Sequence, residues 1–114
     1  MKISSIFYLI VFALVVSIPN VAKAACPGDT QMEMNECAAV EYKKVDKRLN
    51  EVYAKIPKSP ELLAAQRAWI AFRDAECKFE TSSVSGGSMA PLVYASCLQV
   101  LTSDRIKQLE QSNE

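Results

Sequence analysis

Four cysteines constrain this chain more than any other feature. They stand at Cys26, Cys37, Cys77 and Cys97, in a sequence of 114 residues that holds no histidine. What they do depends on the compartment, and the N-terminus speaks to that. Met1-Lys2 leads into an apolar stretch from Ile3 to Ile18, interrupted only by Ser4, Ser5 and Ser17. Pro19-Asn20 ends it, and Ala22-Lys23-Ala24 follows, the A-x-A pattern that signal peptidase cuts. Residues 1–24 therefore read as a secretory signal peptide cleaved after Ala24. A membrane anchor needs about 20 apolar residues in a row, and Pro19 comes too early for that. Lipidation of Cys26 needs an apolar residue three positions earlier, where Lys23 stands.

Export decides how the cysteines are read. An even number in a small exported domain implies two disulfides. Metal binding lacks support, because there is no C-x-x-C and no histidine to complete a zinc site. The mature stretch, residues 25–114, suits one domain. A chain this short buries only about 60–65% of its unfolded surface, so covalent staples matter to it. Lys2 and Lys23 go with the leader, which leaves 11 of the 13 basic residues against 13 acidic ones. That is no footprint for nucleic acid, which calls for a clustered basic face. Without histidine, Ser-His and Cys-His nucleophiles are excluded. Glu33, Glu36, Glu41 and Asp46 are spread along one segment and do not form a converging pair. An enzyme is not expected, nor a cofactor, a metal site or stable membrane insertion of the mature chain.

The mature chain reads as all-α. Thr30 followed by Glu33 is a capping box, in which each side chain satisfies a free backbone donor of the other residue. Met34, Ala38, Tyr42, Val45, Leu49, Val52 and Ile56 then recur at helical spacing, and Pro57 stops the helix. Glu36, Lys43, Lys44, Lys47 and Glu51 fall on the opposite, solvated face. Ser59-Pro60-Glu61 opens a second helix with an N-cap, a proline in the first turn and an acid facing the positive end of the dipole. It carries two adjacent lines, Leu62-Ala65-Trp69-Phe72-Glu76 and Leu63-Gln66-Ile70-Arg73-Cys77. The connection is short, so the two helices are expected to pair as an antiparallel hairpin. Residues 80–88 are small and polar, with Gly86-Gly87, and read as a loop. Ser88 is placed to cap a third helix that starts near Met89. Thr102-Ser103-Asp104 resembles another cap, which predicts a kink or a short fourth helix carrying Ile106 and Leu109.

The fold expected is a small three- to four-helix domain built on that hairpin and stapled by two disulfides. All four sulfurs fall at one end of it. The preferred pairing is Cys26–Cys37 with Cys77–Cys97, since each closes a short loop. Its rival is Cys37–Cys77 with Cys26–Cys97. Near the helix seam, Asp46 and Asn50 come level with Gln66, Trp69, Arg73 and Asp74. An Asp46–Arg73 contact with Gln66 or Asn50 sharing hydrogen bonds is expected to set the register of the helices. The candidate contact surface is the loop of Ser82, Ser83, Ser85, Gly86, Gly87 and Ser88, tethered by a cysteine on either side.

These residues also carry a resemblance. Thr30-Gln31-x-Glu33-Met34-Asn35-x-Cys37, Asp46-x-x-Leu49-Asn50-x-x-Tyr53 and Gln66-Arg-Ala-Trp69-x-x-x-Arg73-Asp74-x-x-Cys77 come in that order. Gly86-Gly87-Ser88, Cys97 and Thr102-x-x-Arg105-x-x-x-Leu109 follow. Together, from Cys26 to Leu109, they resemble the LprI-like family, the N-terminal domain type of lysozyme inhibitor LprI. The resemblance implies a helical, disulfide-linked bacterial domain that is periplasmic or secreted. It also implies a protein partner, namely a lysozyme, met by loop insertion or surface binding. The alternative is a structural or stress-related protein that binds another envelope protein. The resemblance carries no catalytic residue.

Overall fold

A computed structural model describes residues 26–113. The leader expected over residues 1–24, with its cut site, lies outside the described residues. Three long helices make up the domain: α1 (Gln31–Lys55), α2 (Pro60–Thr81) and α3 (Ala90–Gln111). The local chemistry accounts for their ends. Thr30 accepts from the Glu33 amide, and Glu33 Oε2 accepts from the Thr30 amide at 3.1 Å, so the capping box is complete. Ser59 accepts from the Leu62 amide at 3.1 Å at the start of α2. Lys58 closes the turn between the two, donating to the carbonyls of Tyr53 and Ile56 and lying 4.2 Å from the centre of the Tyr53 ring.

The third helix organises the other two. Asn35 near the start of α1 donates to the Ser88 carbonyl just before α3, and Arg48 pairs with Glu110 near the far end of both. So α1 and α3 run parallel. Cys77–Cys97 and the Gln66–Arg105 hydrogen bond set α2 antiparallel to α3. Thus α1 and α2 run antiparallel as expected, but each packs mainly on α3 and touches the other only sparsely. They meet one another through long side chains such as Arg73, which reaches Asp46. Leu49, Val52 and Leu109 are buried at the end with the α1–α2 turn, with Tyr53, Ile56, Leu62, Trp69 and Ile106 packed on them. Cys77, Cys97 and Leu98 are buried at the other end, beside Tyr42, Tyr94 and Leu101.

Both disulfides are those preferred from the sequence, with Cα–Cα separations of 5.3 Å for Cys26–Cys37 and 5.5 Å for Cys77–Cys97. Three local expectations are corrected. The helix does not break at Thr102, because that side chain is fully buried and takes a hydrogen bond from Arg73, leaving it unable to cap a new helix. Ser88 does not cap α3; Met89 holds the N-cap position with no side-chain bond, and the Ser88 carbonyl is taken by Asn35. The loop is also shorter than expected. The second helix runs on to Thr81, and Ser82–Val84 continue as one 3-10 turn.

The rotation of α2 is the least obvious feature. Its only buried residues are Gln66, Arg73 and Cys77 of one line, while Leu63 and Ile70 of that line are each 39% exposed; of the more apolar line, Leu62 and Trp69 pack on the core and Phe72 is 55% exposed. The disulfide explains this. Cys77 must face Cys97, and helical periodicity then turns Arg73 and Gln66, four and eleven residues earlier, to the same side.

Candidate functional site

Two places assemble polar side chains from several elements. The first lies in the helix seam. Arg73 is 8% exposed and serves all three helices. Its Nε donates to Asp74 Oδ1 at 2.9 Å, its Nη1 to Thr102 Oγ1 at 3.4 Å, and Nη1 stands 3.9 Å from Asp46 Oδ1. The guanidinium also lies 5.2 Å from the centre of the Trp69 ring and 5.8 Å from that of Tyr42. Arg105 lies 5.8 Å from the centre of the same indole, and its Nε donates to Gln66 Oε1 at 3.0 Å. Trp69 thus sits beside two cations, an arrangement that favours the electron-rich ring face.

Asp46, Gln66, Trp69, Arg73 and Asp74 therefore come together, and Tyr42, Thr102 and Arg105 join them. Asn50 does not; it lies exposed. One helical turn from Asp46 carries a side chain about 40° further around the helix, and Asp46 already stands at the edge of the buried stripe. Electrostatics follow burial here. Burial, first, pushes the Tyr42 hydroxyl above its ordinary range; Arg73 opposes this, and Asp46, Asp74 and Tyr94 add to it. Burial lowers the pKa of Arg105. Among the described residues every buried side-chain nitrogen and oxygen has a hydrogen-bond partner. A network whose buried groups are all satisfied is suited to fixing helix register.

The second place is the end of the molecule that holds the disulfides. Thr81, Ser82 and Ser83 turn their hydroxyls back onto the carbonyls of Cys77, Phe79 and Glu80, which ends α2. Ser82 and Ser83 are thus engaged locally. The turn Ser85-Gly86-Gly87-Ser88 is exposed throughout. Gly86 has a φ of 78°, a conformation that glycine adopts without the Cβ clash met by other residues. The Gly87 amide bonds the Val84 carbonyl and the Ala90 amide bonds the Gly87 carbonyl, so successive turns close this segment on itself. Cys77–Cys97 clamps it from outside, and Asn35 ties Ser88 to α1.

Charge separates along the molecule. Residues 26–40 and 75–97, the disulfide end, hold Asp29, Glu33, Glu36, Glu76 and Glu80 against Lys78 alone. Residues 47–67 and 104–113, at the other end, hold Lys47, Arg48, Lys55, Lys58, Arg67, Arg105 and Lys107 against Glu51, Glu61, Asp104 and Glu110. No linear reading shows this, because the acids are scattered until the up-down-up course of the helices gathers them. Among the described residues no cluster of three or more His, Cys, Asp or Glu could hold a metal ion, and no helix is long and apolar enough to cross a membrane.

The fold and these two places define a class: a disulfide-stapled three-helix domain whose internal polar groups are satisfied and whose exposed turn faces outward. The chain belongs to the family described as lysozyme inhibitor LprI, whose model matches residues 22–109. An uncharacterized protein of Rhizobium meliloti (strain 1021) is 31% identical over 104 residues, which covers 75% of either chain. No solved structure matches. The family model spans both the seam network and the disulfide end.

Proposed function

We propose that this chain is an exported bacterial protein that binds and inhibits a lysozyme through its disulfide end. One observation carries the reading: the exposed Ser85–Ser88 turn is held between Cys77–Cys97 and Asn35, on an end with a marked excess of acid. A turn locked before binding loses little conformational freedom on docking, which favours affinity. The acidic end complements a cationic enzyme, and such charge matching speeds encounter and sets orientation. Residues 1–24 would direct the chain out of the cytoplasm, to the periplasm or beyond, with cleavage after Ala24. The paired cysteines suit an oxidising compartment. The family description supports the activity, and nothing in the fold requires catalysis.

A cell-wall lysis assay with oxidised protein spanning residues 25–114 tests this. Inhibition is expected at micromolar protein and weakens as salt rises from about 0.02 to 0.2 M, because exposed charges are screened over that range. If no lysozyme class is inhibited at micromolar concentration, the assignment is wrong and an envelope protein is the better partner to seek.

A further inference from the structure

Beside the exposed turn, α3 and its N-cap residue present a partly exposed apolar face that no other described residue covers completely. Met89, Val93, Ser96 and Val100 follow one another at helical spacing, and Val100 is 59% and Met89 49% exposed. With Glu80 of α2, the Leu92–Val100 stretch of this face lines a groove of about 370 Å³, within the size range of specific binding sites. Its rim is acidic. Glu80 lines it, and Glu76 lies one turn earlier on the same side of α2. Among the described residues neither carboxylate is in an ion pair. The groove between α1 and α3 differs: Lys44, Arg48 and Lys107 at its edge are each paired with an acid, namely Glu41, Glu110 and Asp104. That groove is neutralised from within, whereas the one beside Glu80 keeps its charge for a partner.

We infer that the groove between Glu80 and the Val93–Val100 face of α3 receives a cationic segment of the partner protein that carries an apolar side chain. The apolar group seats between Val93 and Val100, and neighbouring lysines or arginines meet Glu76 and Glu80. Burial of an apolar anchor inside a charged rim is how binding energy is concentrated at interfaces. This deepens the protein-binding reading and rests on it, while moving the main contact from the turn to the helix face next to it.

The test is a titration of the isotope-labelled, oxidised protein, followed by amide NMR shifts. Two probes are used: a synthetic amphipathic peptide of lysine and leucine, and a cationic lysozyme. Both are expected to shift amides of Glu80 and residues 92–101. Val100→Lys and Glu80→Lys, at exposed positions that leave the core intact, are expected to weaken binding by about tenfold or more. Glu51→Lys, at the other end, is expected to leave it unchanged. Peptide shifts absent from the groove, or confined to Ser85–Ser88, overturn the inference. If the peptide fills the groove but no lysozyme binds, the lysozyme reading fails and the groove stands. If V100K inhibits lysozyme as well as the wild type does, the groove fails and the lysozyme reading stands.

Discussion

Replacing Cys77 and Cys97 together by alanine lowers the unfolding free energy by about 3–5 kcal/mol. The staple spans 20 residues, and closing a loop of that length in the unfolded chain accounts for about 3 kcal/mol in the chain-entropy model. The remainder comes from packing, since Cys77 is wholly buried and Cys97 is 7% exposed. The comparison with Cys26→Ala/Cys37→Ala is informative. That staple closes a loop of 11 residues, and the entropy model separates the two by only about 0.5 kcal/mol. Cys26 and Cys37 are only half-buried, however, so their loss leaves less of a void. Urea unfolding of both double variants measures the difference. A domain with a total margin of ~5–15 kcal/mol feels the first loss severely. Equal losses, or the reverse order, would mean that the burial of Cys77 and Cys97 adds no stability beyond loop closure.

Arg73→Met lowers stability by about 2–4 kcal/mol. Asp46 and Asp74 are some two-fifths exposed and can be hydrated when the cation goes. Thr102 cannot, because it is completely buried and loses its donor. The planar group beside Trp69 and Tyr42 is lost as well. Arg73→Lys keeps a charge but neither the forked donors nor the flat contact, so about half the loss remains. Denaturant midpoints and the emission of Trp69 report both variants. Apolar replacement of buried ionic groups is neutral in some proteins; an R73M variant as stable as the wild type would show that the seam network is dispensable here.

Both ends of α1 and the start of α2 were legible because their causes are local. Thr30 with Glu33, Ser59 with Pro60, and Pro57 act within one turn of where they stand, and a linear reading captures them. The disulfide pairing was preferred over its rival because each bridge closes a short loop, and both bridges form. What escaped has a common cause, the packing of one helix on another. Thr102 has the side chain of a cap, yet burial against Arg73 commits it elsewhere. The more apolar line of α2 shares the core: Leu62 and Trp69 reach it, but Phe72 turns outward and Gln66, Arg73 and Cys77 take the most buried positions, with Cys77 held to Cys97. Asn50 lies a small rotation beyond the seam that Asp46 reaches. In the candidate site, the turn at Gly86-Gly87 was visible in composition. The commitment of Ser82 and Ser83 to the end of α2, and the acid gathered at the disulfide end, emerge only once three helices are laid side by side.

End-specific charge reversal in the lysis assay tests the docking end most directly. Glu76→Lys with Glu80→Lys, both at the disulfide end, is expected to reduce inhibition by about tenfold or more at low salt, where surface charges act at longest range. Glu51→Lys with Glu61→Lys, at the opposite end, changes the net charge by the same amount and is expected to leave inhibition nearly intact. Equal losses from the two pairs would show that only net charge matters, and a larger loss from Glu51 and Glu61 would place the docking surface at the wrong end of the molecule.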